Sequence, residues 1–195
     1  MCEHIRAIDT QTKFVILMHP KEFKKVKNGT GHLTHLSLLN SELFVGIDFT
    51  YHERVNAILQ HYESYILYPS SEAMNLTHEP LHVKKNIAIF IIDSTWACAL
   101  KIMRSSHNLR GLAHISFEPT KRSEFKIKEQ PFEYCLSTIE STLSVLELLN
   151  QWEVELIAQE KLDAFLTPFH AMIAYQLECI ENLKSNAVRF KPKKS

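Results

Sequence analysis

Asp93-Ser94-Thr95-Trp96 places a carboxylate, two hydroxyls and an indole at consecutive positions. The stretch follows the apolar, β-branched run Asn86-Ile87-Ala88-Ile89-Phe90-Ile91-Ile92 and precedes Ala97 to Met103, which reads as helix. A buried strand that ends in such groups and turns into a helix is where open α/β sheets place ligand chemistry. The same residues have a structural reading. Asp93 or Ser94 serves as well as a helix N-cap, bonding backbone N–H groups left free in the first turn, and Trp96 as core. A cap and an anion site use the same N–H groups, so both readings stand.

Other segments offer further chemistry. His19-Pro20-Lys21-Glu22 closes the apolar run Lys13 to Met18. It either converges on the sheet edge that holds Asp93 or is a proline turn with a solvated Glu22. Ser137-Thr138-Ile139-Glu140 has capping-box spacing, which accounts for it without a ligand. Lys21, Lys24, Lys25 and Lys27 form a basic cluster, with Lys84, Lys85, Lys101, Arg104 and Arg110 elsewhere. Lys121, Arg122, Lys126 and Lys128 crowd a segment that also holds Phe125 and Phe132. These cations either neutralise phosphates or form plain solvated faces. His32 and His35 could share a helical face, but a metal needs three or four ligands and no others lie nearby. Cys98 reads as a small buried apolar residue.

The elements that position these groups follow from periodicity and punctuation. Lys13 to Met18, Glu42 to Phe49, Tyr65 to Tyr68, Ile87 to Ile92 and His114 to Phe117 read as strands. Asn28-Gly29-Thr30-Gly31 is a turn cluster. His32 to Leu39 reads as a helix with Leu33, Leu36 and Leu39 on one face. Thr50 and Glu53 have capping-box spacing, which predicts a helix over Tyr51 to His61. Ser94 to Ser105, Thr138 to about Asn150 and Thr167 to about Leu183 complete the helices, the last opened by the Thr167-Pro168 order. Its apolar face is Phe169, Met172, Ile173, Leu177, Ile180 and Leu183. Strands alternating with helices, then a helical C-terminal region, predict an α/β domain with a mainly parallel sheet.

Composition narrows the function classes. The 195 residues suit one domain, with 45% hydrophobic and 23% charged residues, ordinary for a globular chain. Lys+Arg and Asp+Glu are both 22, so any basic surface must come from local asymmetry. The four glycines, Gly29, Gly31, Gly46 and Gly111, exclude a Walker A loop and a GxGxxG turn. No apolar run reaches the length of a membrane helix, and the N-terminus does not read as a secretory signal. The scattered Cys2, Cys98, Cys135 and Cys179 favour free thiols in a reducing cytoplasm.

Taken in order, the motifs point to one family. Thr12-Lys13-Phe14-Val15-Ile16-Leu17-Met18-His19-Pro20-Lys21-Glu22, Leu67-Tyr68-Pro69-Ser70, Asp93-Ser94-Thr95-Trp96 and Leu136-Ser137-Thr138-Ile139-Glu140 together resemble the DTW-domain family, the tRNA-uridine aminocarboxypropyltransferases. The family's Asp-Thr-x-Trp-like element stands here as Asp-Ser-Thr-Trp. The resemblance spans residues 2–185 and implies a single transferase domain over 1–185; the composition of 186–195 reads separately as a basic, frayed tail. It also implies a relationship to SPOUT enzymes, hence a flanked parallel sheet compatible with a trefoil knot.

The resemblance carries expectations about activity. S-adenosylmethionine would be co-substrate, donating its 3-amino-3-carboxypropyl group to N3 of a uridine in tRNA and leaving as methylthioadenosine. Asp93, Thr95 and Trp96 would be catalytic, with Asp93 taking or orienting the N3 proton, Thr95 hydrogen-bonding the base or the donor, and Trp96 stacking on uracil or excluding water. His19, Pro20, Glu22, Leu67, Tyr68, Pro69, Ser137, Thr138 and Glu140 would bind the cofactor. Lys21, Lys24, Lys25, Lys101, Arg104, Lys121 and Arg122 would contact tRNA. No membrane association or protein partner is expected. The family's cysteine cluster, which looks like a zinc site, is matched only in its last part by Cys2-Glu3-His4-Ile5, so zinc is not predicted on this chain. The rival readings are a SPOUT-type RNA methyltransferase and a non-catalytic RNA-binding module of the same fold.

Overall fold

In a computed structural model, residues 2–25, 29–81, 86–125 and 135–181 are described. The strands are β1 (Lys13–Met18), β2 (Ser41–Val45), β3 (Glu63–Leu67), β4 (Met74–Asn75), β5 (Ile87–Asp93) and β6 (Ala113–Ser116). They form one sheet in the order β2-β1-β5-β3-β6-β4, with parallel pairing throughout. The helices are α1 (Pro20–Lys25), α2 (Thr30–Leu36), α3 (Glu53–His61), α4 (Trp96–Ser105), α5 (Thr138–Gln151), α6 (Gln159–Ala164) and α7 (Thr167–Glu181).

Helices cover both faces of the sheet, which is why β1 and β5 are near-continuous apolar runs rather than alternating ones. Along β5 the side chains still divide by parity. Ile87, Ile89 and Ile91 pack with Leu33 of α2, Val145 and Leu146 of α5, and Phe169 and Met172 of α7. Ala88 and Phe90 pack the other way, with Val55 and Ile58 of α3 and Ile102 of α4.

β1 ends where the sequence predicts, while β5 runs one residue further and takes in Asp93. The N-cap of α4 is therefore Thr95, not Asp93 or Ser94, and the Thr95 side chain makes no capping bond. α3 begins at Glu53, with His52 as N-cap accepting from Val55 N–H at 3.3 Å. Thr50 does not cap it. Asp48 lies two residues before and draws both the Thr50 hydroxyl (2.6 Å) and N–H (2.9 Å) onto its Oδ1. The expected apolar face over residues 32–39 is also revised: Leu33 is buried, while Leu36 and Leu39 are 50% and 68% exposed. α2 ends at Leu36, so Leu39 has left the helical phase.

In α7 the expected face is buried at Phe169, Met172 and Ile173 but emerges at Leu177. α6 and the two-residue β4 carry too little periodicity to read in advance. Leu183, the tail at 186–195, Lys27, Lys84, Lys85, Lys126, Lys128 and Phe132 lie outside the described residues.

Candidate active site

From β1 the chain turns to one side of the sheet, toward β2. From β5 it turns to the other, through α4 to β6. The crevice between two such strands is the switch point at which open parallel sheets bind ligands. The strand ends are tied there: His19 N–H donates to the Asp93 carbonyl at 3.2 Å.

Asp93 shares the parity of Ile89 and Ile91, so its side chain faces the layer of α2, α5 and α7. It is only 8% exposed. Thr138, the first residue of α5, donates its hydroxyl to Asp93 Oδ1 at 2.6 Å. From the α2 side, Gly31 comes so close that an added Cβ would lie 2.5 Å from Asp93 Cγ. No side chain fits, which explains a glycine inside this helix better than turn formation does.

His19 is buried and caps α1. Its Nδ1 accepts from Lys21 N–H at 3.1 Å, with Pro20 at the first helical position. Burial lowers its pKa, the cations Lys21 and Lys101 add to that, and Glu22 opposes it. The neutral ring with Nδ1 as acceptor carries its proton on Nε2.

A cavity of about 920 Å³ opens along these strand ends, near the top of the roughly 300–1,000 Å³ typical of small-molecule sites. Asp93, Thr95 and Trp96 line it, as do Glu22, Leu67, Tyr68, Pro69, Ser137 and Thr138. Trp96 is 47% exposed and does not serve as core. His19, Pro20 and Glu140 are not among the lining residues.

Glu140 is buried and accepts from Ser137 N–H (2.8 Å), Ser137 Oγ (2.5 Å), Ser123 Oγ (2.8 Å) and Glu124 N–H (2.6 Å). Three of these donors converge on Oε2 and the Glu124 N–H takes Oε1, so both oxygens are committed within the protein. This residue closes the capping box of α5 and holds the 123–124 segment against it. His32, Phe125, Met172 and Gln176 also line the cavity. They carry no motif, and Gly31 could have been noticed only as one of four glycines in the chain.

Lys21, Lys24, Lys101, Arg104, Lys121 and Arg122 are exposed, and Lys25 ends α1. Lys21 and Lys101 come from separate helices yet both act on His19. Arg110 donates to the Arg104 carbonyl at the end of α4. His35 Nδ1 pairs with Ser41 Oγ at 2.8 Å. Among the described residues no three His, Cys, Asp or Glu side chains gather as a metal site, and no helix is long and apolar enough to cross a membrane.

The profile of the DTW domain matches residues 1–177. The chain belongs to the DTW-domain family. The four segments that resemble that family all contribute to this one edge of the sheet. The DTW chain is 30% identical over 172 residues to a protein of Drosophila melanogaster named tRNA-uridine aminocarboxypropyltransferase 2, a match covering 86% of this chain and 65% of the relative. Proteins of the same name from Macaca fascicularis and Mus musculus are 29% and 28% identical. Those matches cover 86% and 89% of this chain and 55% and 58% of the relatives. The chain thus spans less than two thirds of the length of these relatives. No solved structure matches it.

Proposed function

We propose that this DTW chain transfers the 3-amino-3-carboxypropyl group of S-adenosylmethionine to N3 of a uridine in tRNA. The observation that carries this reading is the position of the Asp93 carboxylate. It lies in the wall of a 920 Å³ cavity at the switch point, and that cavity is also lined by Leu67-Tyr68-Pro69 and Ser137-Thr138. The names of the three relatives supply the reaction class.

The donor fits the walls in kind. Leu67, Ile115, Phe117 and Met172 offer apolar surface to the adenosine and thioether parts. A sulfonium supplies a good leaving group, since the departing thioether is neutral. In the transfer the N3–C bond forms, the C–S bond breaks and the N3 proton leaves. The chain's own tasks are orientation, which is worth several kcal/mol, and the fate of that proton. Asp93 accepts or orients the proton, with Thr138 holding the carboxylate. Proton loss concerted with attack lessens the basicity asked of the carboxylate. Thr95 sits at the rim to hydrogen-bond the base or donor, and exposed Trp96 stacks on the uracil.

Lys21, Lys24, Lys25, Lys101, Arg104, Lys121 and Arg122 are assigned to phosphate contacts. Free thiols at Cys98, Cys135 and Cys179 fit a cytoplasmic location.

The test is incubation with unmodified tRNA and labelled S-adenosylmethionine, with mass analysis of the nucleoside and by-product. Aminocarboxypropyluridine with methylthioadenosine is expected. A methylated base with S-adenosylhomocysteine would replace this reading by methyl transfer. Asp93→Ala should abolish transfer while tRNA binding survives, and full activity in that variant removes Asp93 from the mechanism.

A further inference from the structure

The cavity lining reaches the ends of four adjacent strands: β1 at Met18, β5 at Asp93, β3 at Leu67 and β6 at Ile115. At about 4.8 Å per strand this is roughly 14 Å of sheet edge, with Asp93 one strand in from the β1 end. The two sides differ. Toward β3 and β6 the walls include Leu67, Phe117, Phe125 and Met172. On the β1 side, α2 packs against β1 and presents His32.

His32 Nδ1 is buried and has no hydrogen-bond partner. Its ring is held by Phe23, whose centroid lies 5.6 Å away at a 32° tilt. The preceding residue, Gly31, is the one pressed against the Asp93 carboxylate. Nδ1 is shut off from the cavity, so the nitrogen through which this lining residue can meet a ligand is Nε2.

We propose that the β1 side of the cavity is the uracil subsite and that His32 reads the base. Uracil presents N3–H flanked by two carbonyl oxygens. An acceptor at Asp93 and an N–H donor at His32 complement that edge, with the Nε2-protonated tautomer donating to the O4 carbonyl. Cytosine presents an acceptor at N3 and an amino donor beside it, and so meets the wrong group at both positions. The rim agrees: α1, which carries Phe23, also carries exposed Lys21 and Lys24, where the phosphates on either side of the base need cations. The apolar side is left to the adenosyl part of the donor. This assignment rests on the transferase reading above, which names both ligands.

The experiment measures donor affinity by calorimetry and kcat/KM for unmodified tRNA, in wild type and three variants. His32→Phe keeps a ring against Phe23 and removes the nitrogen. It should lower kcat/KM for tRNA about tenfold and leave donor affinity unchanged. His32→Gln, whose amide N–H falls near the Nε2 position, should recover most of the loss, and His32→Asn should not. A second readout needs no turnover: donor-free affinity for a uridine-containing RNA against its cytidine-substituted form, whose preference His32→Phe should erase. An unchanged kcat/KM and preference in His32→Phe, or a donor affinity that falls as much as that for tRNA, would overturn the subsite. Wild-type protein that binds the donor but transfers no aminocarboxypropyl group overturns the transferase reading alone. The uridine preference then decides the subsite.

Discussion

Thr138 Oγ1 donates to Asp93 Oδ1 at 2.6 Å and joins residues 45 positions apart in the chain. The bond fixes a buried carboxylate from the first turn of a 14-residue helix, which is itself closed by the Ser137–Glu140 capping box. Two motifs that are separate in sequence are one unit in space.

Removing that bond while keeping the shape of the side chain isolates its role. Thr138→Val should lower kcat by about tenfold to a hundredfold, the scale of a lost hydrogen bond to a charged group. Loss of a donor raises the carboxylate's pKa, so the acid limb of the kcat/KM profile should move to higher pH. Thr138→Ser should restore both. An unmoved pH profile in Thr138→Val would remove Thr138 from the positioning of Asp93.

Gly31 is tested by a single methyl. Gly31→Ala places a Cβ 2.5 Å from Asp93 Cγ. Overpacking of this kind costs about 1–3 kcal/mol. For a chain of this size that lowers Tm by roughly 2–4 °C per kcal/mol. Activity should fall with it, because the atom displaced is the one assigned to the chemistry. Calorimetric melting beside the transfer assay checks both.

The cations of α1 and α4 should act on RNA and not on the donor. Lys101→Ala and Arg104→Ala should each reduce the salt dependence of tRNA binding, with the slope of log K against log salt falling by about 1 per residue. Affinity for S-adenosylmethionine should stay the same. Titrations at several salt concentrations separate these residues from plain solvated ones, which would leave the slope unchanged.

His19 links stability to pH. Burial first, then the nearby Lys21 and Lys101, lower its pKa in the fold from the ordinary value of 6.5. The unfolded chain therefore binds more protons between the two values, and stability falls as pH drops below about 6.5 through the folded pKa. His35 is shifted in the same direction, by burial first and then by His32. His19→Asn isolates the first contribution, because Asn also caps a helix well. Urea unfolding at pH 7.5 and 5.5 should show a smaller stability difference in the variant than in wild type.

Much of the architecture is local and was legible along the chain. The β-branched runs of β1 and β5, the Pro at the start of α1 and the Ser137–Glu140 box act within a few residues of themselves, so their type follows from spacing. The misreadings are local competitions decided by a neighbour. Asp48 captures Thr50, and Asp93 joins its strand because Met18 pairs with it across the sheet.

The site is different in kind. Residue pattern alone singled out Asp93 to Trp96, because unusual polar and aromatic groups at a strand end stand out against an apolar run, whereas Tyr68 and Thr138 became candidates only through the resemblance to the DTW-domain family. Which of them share a cavity depends on strand order. The sequence β2-β1-β5-β3-β6-β4 is set by how helices on two faces bury the sheet, a sum of long-range contacts that no window of sequence contains. For the same reason only the folded chain shows that Glu140 is spent on four structural bonds, that Gly31 makes room for a carboxylate, and that His32 lines the same cavity.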